Sequence, residues 1–322
     1  MALKDEEKPC SLCGKRKTVY FRPYSGERLC RLCFIHSLER KVRRTISKYA
    51  MFNPDDRIAL ALSGGKDSLS LLQILHRLEA SFPESELYAV TVNEGIEGYR
   101  EEAVEHAAEA CRRLGVKHVV VSFKELFGCT LDEVVKASQS LEDAPAPCSY
   151  CGVLRRRALN LAAEKLEATK IATAHNLDDE VQTLILNLIH GDVYKLGRID
   201  PEAPEAEGFI PRVKPFREIP EAEVAFYAYL TGVKFQSKPC PYAGYALRGE
   251  VRWFLNRLEA RHPGIKFTLY HSFEKLKPLV RSGVKAEILR CRLCGEASSK
   301  DVCEVCSMLS QLGKLKEPGK TN

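Results

Sequence analysis

The sequence predicts an α/β fold with a doubly wound parallel sheet and a small four-cysteine module near each end of the chain. Two observations predict the sheet: short apolar segments of strand length recur along the chain, and each is followed by a segment of helical periodicity. Strands that alternate with helices form right-handed crossovers, which give a parallel sheet covered on both faces. Pairs of Cys-x2-Cys motifs near both termini predict the two modules.

Four segments are predicted to be buried strands, namely residues 57–62, 87–93, 118–123 and 170–175. Because ligands of parallel sheets bind beyond the carboxyl ends of the strands, we expect the functional site there. Three loops rich in proline, glycine or acidic residues interrupt the core, at residues 141–147, 200–208 and 234–244. A further helix is predicted at residues 246–261. Its apolar stripe is expected to face the core and consists of Trp253, Phe254, Leu255 and Leu258.

The composition, with 45% hydrophobic and 29% charged residues among 322, is ordinary for a soluble globular protein and excludes a wholly disordered chain or a collagen-like fibre. No apolar stretch approaches the ~20 residues that span a membrane. The first ten residues are charged where a signal peptide would be apolar. We therefore expect a cytoplasmic protein, in which the 13 cysteines need a role other than disulfides.

Positive charge is concentrated near the N-terminus. Residues 1–50 contain 13 Lys and Arg against 5 Asp and Glu, whereas the remaining chain has 36 against 38. The densest basic segment consists of Arg40, Lys41, Arg43, Arg44 and Lys48. Such local excess suggests a polyanionic partner, with nucleic acid the leading candidate and a solvated helix face the alternative.

Eight cysteines form two sets of paired Cys-x2-Cys motifs. Four thiolates at this spacing can close a tetrahedron on zinc, and a site with all four positions filled is structural rather than catalytic. The first predicted zinc site is Cys10, Cys13, Cys30 and Cys33, and the second is Cys291, Cys294, Cys303 and Cys306.

A third set consists of Cys148, Cys151 and the distant Cys240. Three thiolates do not complete a zinc tetrahedron. Their spacing alone leaves three possibilities open: an iron-sulfur cluster with one iron unligated, redox or persulfide chemistry, and inert or zinc-bound cysteines. Cys111 and Cys129 have no partners in the sequence and are expected to be ordinary thiols.

A glycine-rich turn, Ser63-Gly-Gly-Lys-Asp-Ser68, joins the first predicted strand to a helix. Backbone N–H groups, the helix N-terminus and Lys66 converge there on anionic oxygen, which predicts a phosphate cradle. Gly64 and Gly65 permit close backbone approach, and Asp67 is placed to influence a magnesium ion. The turn is not a Walker loop, which has the pattern GxxxxGKS or GxxxxGKT.

A second group of polar residues, Ala174-His-Asn-Leu-Asp-Asp-Glu180, follows the fourth predicted strand. Asp179 is predicted to face the nucleotide or the reacting base as an acid–base or magnesium-positioning group. Asp178 and Glu180 are expected to compensate the helix dipole. His175 by itself is typical of a hydrogen-bonded core histidine.

The SGGKDS turn resembles the PP-loop of the N-type ATP pyrophosphatases, which cut ATP to AMP and pyrophosphate and adenylate an oxygen of the substrate. With the paired cysteine modules, PCSYCGVLRRRAL (147–159), AHNLDDE and KPCPYA (238–243), residues 10–306 resemble the tRNA 2-thiouridine synthetases of the TtuA/NcsA group. The segments FRPYSGERLC, NEGIEGYR and YALRGEVRWFLNRLE look most like the cytoplasmic branch of that group, which modifies wobble uridine 34.

The resemblance implies an ATP-dependent tRNA uridine 2-sulfurtransferase that uses ATP, Mg²⁺, two Zn²⁺ and a 4Fe-4S cluster. The cluster ligands would be Cys148, Cys151 and Cys240, and the catalytic aspartate would be Asp179. Arg155 replaces a lysine considered catalytic in the branch that thiolates uridine 54, and as a permanent cation it suits a phosphate or substrate clamp. The implied ATP-binding residues are Ala61, Ser63, Gly64, Gly65, Lys66, Asp67, Ser68, His175 and Asp179.

The implied partners are tRNA, a ubiquitin-like thiocarboxylated sulfur carrier, and a second copy or a paralogue, with no membrane. We expect the ATP cradle and the three spare cysteines to share one cavity. The predicted divisions are an N-terminal zinc module (1–34), a basic linker helix (35–54), a PP-loop domain (55–235), a helical extension (236–288), a C-terminal zinc module (289–310) and a tail (311–322).

Three alternatives remain at this stage. The same chemistry could act at uridine 54, or the chain could be a PP-loop enzyme that amidates or forms lysidine and needs no sulfur. A noncatalytic RNA-binding zinc protein or scaffold is the third. The third cysteine set and the intact SGGKDS turn favour sulfur transfer.

Overall fold

The computed structural model describes residues 8–192, 196, 210–243, 247–282, 289–298 and 300–314. Two short strands near the N-terminus form an antiparallel hairpin, β1 (Tyr20–Arg22) with β2 (Glu27–Leu29). The central strands are β3 (Arg57–Ala61), β4 (Glu86–Asn93), β5 (Lys117–Ser122), β6 (Lys170–Ala172) and β7 (Arg212–Val213). A second hairpin near the C-terminus pairs β8 (Leu289–Arg290) with β9 (Ala297–Ser298).

The five central strands form one parallel sheet in the order β5-β4-β3-β6-β7. The predicted α/β fold is confirmed, and all four predicted strands are present. The fourth is shorter than predicted, because it ends at Ala172, although the Thr173 N–H still donates to the Val213 carbonyl of β7. Strand β7 was not predicted. It has only two residues, too few for a period to show.

Helices cover the sheet, and they are α1 (Arg31–Lys48), α2 (Lys66–Glu79), α3 (Arg100–Leu114), α4 (Phe123–Phe127), α5 (Leu131–Ser138), α6 (Pro147–Lys165), α7 (Leu177–Ile189), α8 (Glu221–Thr231), α9 (Arg248–Arg261), α10 (Ile265–Ser282) and α11 (Glu304–Gln311). Helix α1 runs across the predicted boundary between residues 34 and 35. None of the described helices is long and apolar enough to cross a membrane.

The sheet has a hydrophobic core on each face. In β3, Ile58 and Leu60 pack on the side of α1, α2, α3 and α8, whereas Ala59 packs on the side of α4, α5 and α6. Successive residues of a strand point to opposite faces, so a strand covered on both faces is apolar throughout. This explains why β3 and β4 appear in the sequence as unbroken apolar runs.

The N-terminal module packs directly against the core cluster formed by α1, α2 and α8. Cys10, Leu29 and Cys30 are buried in the same cluster as residues of α1, α2 and α8. The Arg22 guanidinium, 1% exposed, forms an ion pair with Glu223 of α8, 0% exposed, at 2.9 Å. The C-terminal module lies against the opposite face of the sheet, where Leu309 of α11 joins the core that contains α6.

Helix α9 corrects one prediction. Its buried residues are Val251 and Leu255, whereas Trp253 is 62% exposed and Phe254 is 50% exposed. The predicted core-facing stripe is therefore wrong for these two aromatic side chains. An adjacent pair such as Trp253 and Phe254 spans about 100° of a helix, and the 3.6-residue period placed the buried face on the i, i+4 pair instead. The predicted loop at 200–208 and the predicted first helical residue, Ala246, lie outside the described residues.

Candidate nucleotide and cysteine site

The glycine turn after β3 has a conformation that requires glycine at Gly64. Its φ of +79° is in the left-handed region, and a Cβ there would lie 2.3 Å from the Ala103 carbonyl oxygen of α3. Gly65 has an ordinary φ of −86° and is the N-cap of α2. The turn therefore brings the amino end of α2 to the carboxyl edge of the sheet, with N–H groups directed outward.

Side chains within the turn stabilise its shape. The Ser68 hydroxyl accepts from the Ser63 N–H at 3.1 Å and contacts the Ser63 hydroxyl at 3.0 Å. Lys66 Nζ donates to Asp67 at 2.9 Å and to Glu221 of α8 at 2.8 Å. Burial raises the pKa of Asp67, and Lys66 opposes that shift. The turn thus places a cation and two hydroxyls where phosphate oxygens would approach.

Two residues that were not predicted from the sequence support the turn from behind. Arg100 donates to the Ser63 carbonyl at 3.2 Å and to the Val92 carbonyl at 2.8 Å. Its Nε lies 2.6 Å from Glu94 Oε2, and both side chains are almost completely buried. Glu94 follows directly after a predicted strand, a position that could have marked it as a site residue. Nothing comparable in the sequence distinguishes Arg100.

A cavity of about 320 Å³ opens at the carboxyl ends of β3, β4 and β6. Five of the predicted ATP-binding residues line it, namely Ala61, Ser63, Asp67, Ser68 and His175. Gly64, Gly65, Lys66 and Asp179 are outside the lining although they are in or beside the loops that form it. Four arginines also line the cavity, and they are Arg100, Arg155, Arg156 and Arg212. This positive lining suits a polyphosphate.

The loop after β6 forms the opposite wall. Asn176 caps α7 by accepting from the Asp179 N–H at 3.1 Å, and Asp179 returns the bond by accepting from the Asn176 N–H at 3.1 Å. Arg248 of α9 lies 3.9 Å from the Asp179 carboxylate. Burial raises the pKa of Asp179 to about 6, although the hydrogen bond from the Asn176 N–H and the nearby Arg248 both act to lower it. His175 reaches solvent at the cavity rim, yet the protein around it lowers its pKa to about 4.

The neighbouring acidic residues have structural partners. Asp178 accepts from Lys266 of α10 and from the Glu221 N–H, while Glu180 accepts from Lys214 at 2.6 Å. Both carboxylates lie in the first turn of α7, as dipole compensation requires, and each also has a cationic partner. Asp179 is the member of the group that remains beside the cavity.

The three spare cysteines lie near one another, on α6 and on the loop that follows α8. Cys148 Sγ contacts the Tyr242 carbonyl, two residues after Cys240, at 3.7 Å. Cys151 and Cys240 pack against the same hydrophobic cluster, and both neighbouring sulfurs influence the Cys151 thiol electrostatically. Burial raises the pKa of the Cys151 thiol to about 11, and Arg155 opposes this.

We expected the ATP cradle and the three spare cysteines to share one cavity, and the structure does not show this arrangement. None of the three cysteines lines the cavity, whereas Gly152 and Arg155, on the same helix as Cys148 and Cys151, do. Arg155 lies 3.7 Å from Glu94 and interacts electrostatically with the Cys148 and Cys151 thiols. The cysteines therefore adjoin the nucleotide cavity through helix α6 without opening directly into it.

Two four-cysteine clusters are present among the described residues, and they are the two predicted zinc sets. In each, the four sulfur atoms lie within 4.8 Å of one another. In the C-terminal cluster the Cys303 N–H donates to Cys291 Sγ at 3.2 Å and the Cys306 N–H donates to Cys303 Sγ at 3.4 Å. Four sulfurs with N–H donors fit a tetrahedral thiolate site for zinc.

The spare cysteines do not form a cluster as tight as these two. A single metal ion draws its thiolates closer together than a multi-iron cluster does. Their wider spacing, and the presence of three sulfurs rather than four, fits an iron-sulfur cluster better than a second kind of zinc site.

Comparisons with known proteins agree over nearly the whole chain. A PP-loop domain family matches residues 35–257, and the N-terminal LIM domain family of the 2-thiouridine synthetase TtuA matches residues 10–35. The tRNA 2-thiolation protein NcsA of Haloferax volcanii is 36% identical over 94% of this chain and 98% of that protein. The cytoplasmic tRNA 2-thiolation protein 1 of Laccaria bicolor is 36% identical over 94% of this chain and 85% of that protein.

Among solved structures, the U34-tRNA thiolase NcsA of Methanococcus maripaludis with its 4Fe-4S cluster has a TM-score of 0.83 to this chain. It is 36% identical, and the match covers 96% of this chain and 98% of that one.

Proposed function

The chain belongs to the PP-loop family of tRNA 2-thiolation proteins, and on that premise we propose that it is an ATP-dependent tRNA uridine 2-sulfurtransferase acting at wobble uridine 34. One observation supports this most directly: helix α6 contributes Gly152 and Arg155 to the arginine-lined cavity and contributes Cys148 and Cys151 beside it. A nucleotide and a sulfur site would therefore be adjacent along one rigid element.

The chemistry explains why ATP is needed. The uracil C2 oxygen is a poor leaving group, so sulfur cannot displace it directly. The C2 oxygen attacks the α-phosphorus of ATP, a C2–O–P bond forms, and pyrophosphate leaves. Sulfide then attacks C2, and the C2–O bond breaks with departure of AMP. Binding that favours the adenylated intermediate and the charge on the departing groups accelerates both steps.

The residues of the cavity divide these tasks. The N–H groups of the Gly64 turn and Lys66 bind phosphate oxygens at the N-terminus of α2. Arg155, Arg156 and Arg212 neutralise the negative charge of the departing pyrophosphate. Asp179, beside the uridine side of the cavity, orients the reacting base or accepts a proton from it.

A magnesium ion is compatible with the part of the nucleotide cavity that contains Asp67. Among the described residues, Asp67 Oδ1 is a buried oxygen without a hydrogen-bond partner, and Asp67 influences the pKa of Asp179 electrostatically. Mg²⁺ is held by one or two carboxylates together with substrate phosphates. Asp67 is the residue we propose to hold it, together with the phosphates of ATP.

We propose that Cys148, Cys151 and Cys240 hold a 4Fe-4S cluster, the cofactor with which the Methanococcus maripaludis thiolase was solved. When bound, such a cluster supplies one iron that no protein atom ligates and that can position the incoming sulfur. Arg155 favours the charged form of the Cys148 and Cys151 thiols. The two four-cysteine clusters are proposed to bind Zn²⁺ and to stabilise the folded modules without taking part in the reaction.

Uridine 34 is favoured over uridine 54 by the named relatives and by Arg155. An arginine cannot exchange a proton near neutral pH, so this position serves as a clamp rather than an acid or base. Anticodon bases are exposed in a loop, which is the form in which proteins read RNA sequence.

The proposed partners are tRNA, a ubiquitin-like thiocarboxylated sulfur carrier and a second copy or paralogue of the chain, and the proposed compartment is the cytoplasm. Exposed arginines of α1, which are Arg40, Arg43 and Arg44, are proposed to bind tRNA phosphates. Lys41 and Lys48 differ from them, because the Lys41 ammonium group lies 3.5 Å from the buried Glu223 and Lys48 forms an ion pair with Glu218.

The test is an anaerobic assay of the cluster-reconstituted full chain with ATP, a sulfide source and unmodified tRNA, followed by nucleoside mass spectrometry. We expect 2-thiouridine at position 34, and absence of any thiolated nucleoside rejects the proposal. Cys240→Ser should abolish the product and the cluster absorbance. Ser149→Ala is the matched control, because Ser149 is exposed between the two helix cysteines, and it should retain both.

A further inference from the structure

Helix α9 presents two large aromatic side chains to solvent. Trp253, the single tryptophan of the chain, is 62% exposed, and its neighbour Phe254 is 50% exposed. The opposite face of the helix is used for packing, because Val251 and Leu255 are buried in a cluster with residues of α7 and α10. The fold therefore does not need the two aromatic rings for its core.

The same exposed face is rich in arginine. Arg257 and Arg261 are exposed there, and the Arg257 guanidinium lies 5.2 Å from the centroid of the Trp253 ring. Trp253, Arg257 and Arg261 are four residues apart, so they form a row along one side of the helix. A large exposed apolar surface bordered by cations is typical of a binding site for a nucleic acid, which has both flat bases and charged phosphates.

Acidic groups on the helix do little to offset this charge. The Glu259 carboxylate accepts from the Gly264 N–H at 2.7 Å and the Lys266 N–H at 3.0 Å, so it is committed to the turn that follows the helix. Glu250 is the other acidic residue of α9. Four arginines against two glutamates leave the helix with a net positive charge.

The position of α9 relative to the proposed active site is defined by its first residue. Arg248 donates to Thr183 of α7 at 3.1 Å and lies 3.9 Å from Asp179. Trp253 is five residues further along, or about 7.5 Å of helix axis. Beyond its other end, Phe267 of α10 packs on Tyr24 of the N-terminal module with ring centroids 4.8 Å apart. The aromatic face thus begins one to two helical turns from Arg248, which lies beside Asp179.

We infer that Trp253 and Phe254 form a stacking platform for an unpaired base of the RNA substrate, while Arg257 and Arg261 bind phosphates of the adjoining backbone. Base stacking on aromatic side chains is tolerant of sequence, and neighbouring arginines follow the backbone. The ligand is a single-stranded segment of RNA, which here is the anticodon loop adjacent to the modified uridine. This inference rests on the proposed function and adds a binding site to it.

The single tryptophan gives a direct test. The full chain is titrated with a synthetic anticodon stem-loop RNA and with a fully paired RNA duplex of equal length, and Trp253 fluorescence is recorded. Stacking predicts saturable quenching by the stem-loop and little quenching by the duplex. Equal quenching by both RNAs, or none by either, overturns the platform.

Variants separate stacking from charge. Trp253→Ala should weaken stem-loop binding, measured by filter retention, roughly 5- to 150-fold, whereas Trp253→Phe should retain most of the affinity. Arg257→Gln should reduce the dependence of log affinity on log salt by about 1. Tyr229→Ala is the control, because Tyr229 is 77% exposed on α8 and outside this face, and it should bind like the unchanged protein.

The result is distinguishable from failure of the proposed function. If the protein thiolates tRNA but Trp253→Ala binds the stem-loop with unchanged affinity, the platform is rejected and the sulfurtransferase stands. If the stem-loop quenches Trp253 but no 2-thiouridine forms, the platform is supported and the sulfurtransferase is rejected. A fluorescence change that depends on protein concentration without RNA indicates self-association through this face and also overturns the inference.

Discussion

Asp179 is a carboxylate whose surroundings oppose its charge. Its pKa is raised to about 6 by burial, although Arg248 and the Asn176 N–H both favour ionisation. If the carboxylate form assists the reaction, activity rises with pH through about 6 rather than through about 4. The effect of pH on folding stability has the opposite direction. The native state holds the Asp179 proton more tightly than the unfolded chain does, so the contribution of Asp179 to the free energy of unfolding falls as pH rises from about 4 to about 6.

Asp179→Asn should therefore remove most thiolation activity and the acidic limb of its pH profile without lowering stability at pH 8. The asparagine oxygen can still accept from the Asn176 N–H, and no charge remains to be desolvated. Single-turnover rates between pH 5 and 9, together with urea unfolding, measure both effects. A variant with the original acidic limb contradicts the assignment of that limb to Asp179.

Glu94 is a buried carboxylate that forms an ion pair with the equally buried Arg100. Glu94→Ala leaves Arg100 inside the protein without its counter-charge, and we expect a loss of about 3 kcal/mol in the free energy of unfolding. The control is Glu97→Ala, three residues later and exposed, with an expected change within about 0.5 kcal/mol. Equal effects of the two substitutions in urea unfolding would show that the ion pair does not stabilise the turn.

For individual residues, the sequence predicted those that belong to a recognisable phosphate-binding or metal-binding motif. The serines of the turn, Asp67 and His175 line the cavity, and both four-cysteine sets are assembled. It did not predict Glu94, Arg100 or Glu221, because support of a loop from behind depends on which segments meet in space. Their partners lie in other segments of the chain, and no local pattern records those contacts.

The turn between β3 and α2 is the element on which nucleotide binding depends. A side chain at Gly64 meets two obstacles, a positive φ and the Ala103 carbonyl. Gly98 has a similar φ of +64° but no atom within 4 Å of an added Cβ. An alanine at position 98 therefore measures the energetic cost of the positive φ without any steric clash.

We expect Gly98→Ala to lower the free energy of unfolding by about 1 kcal/mol and Gly64→Ala by at least about 2 kcal/mol more. Only Gly64→Ala should also abolish ATP binding, measured by calorimetry. Comparable losses at both positions would mean that contact with α3 does not constrain the turn.

Elements buried on both faces were the most predictable. Strands β3 and β4 are predominantly apolar and buried on both faces, and their observed bounds differ from the predicted ones by a residue. Strand β7 is too short to have a pattern. The face of α9 was assigned wrongly because aromatic residues were treated as core, whereas the arginines beside Trp253 and Phe254 indicate a surface.

For the whole molecule, α8 links the N-terminal module to the nucleotide turn. Glu221 binds Lys66 of the turn, and two residues later Glu223 binds Arg22 of the module. Because both partners of the second pair are buried, Glu223→Ala should lower the free energy of unfolding by about 3–5 kcal/mol.

Glu27→Ala is the comparison, because Glu27 also binds Arg22 but is 33% exposed, and its expected loss is below about 1 kcal/mol. In a double-mutant cycle, Arg22→Ala combined with Glu223→Ala should lose less than the sum of the single losses. Additive losses would contradict a direct coupling. Measured ATP affinity should fall with Glu223→Ala if α8 transmits the disturbance to Lys66.

The pairing of Arg22 with Glu223 also sets an order for biosynthesis. The two residues are 201 positions apart, so the guanidinium leaves the ribosome long before its carboxylate has been translated. The first Cys-rich segment can gather its sulfurs early, but its interior cation has only the partly exposed Glu27 as a counter-charge until most of the polypeptide exists. Nascent chains arrested before residue 223 should accordingly be sensitive to protease in their first fifty residues, and released full-length chains should resist it.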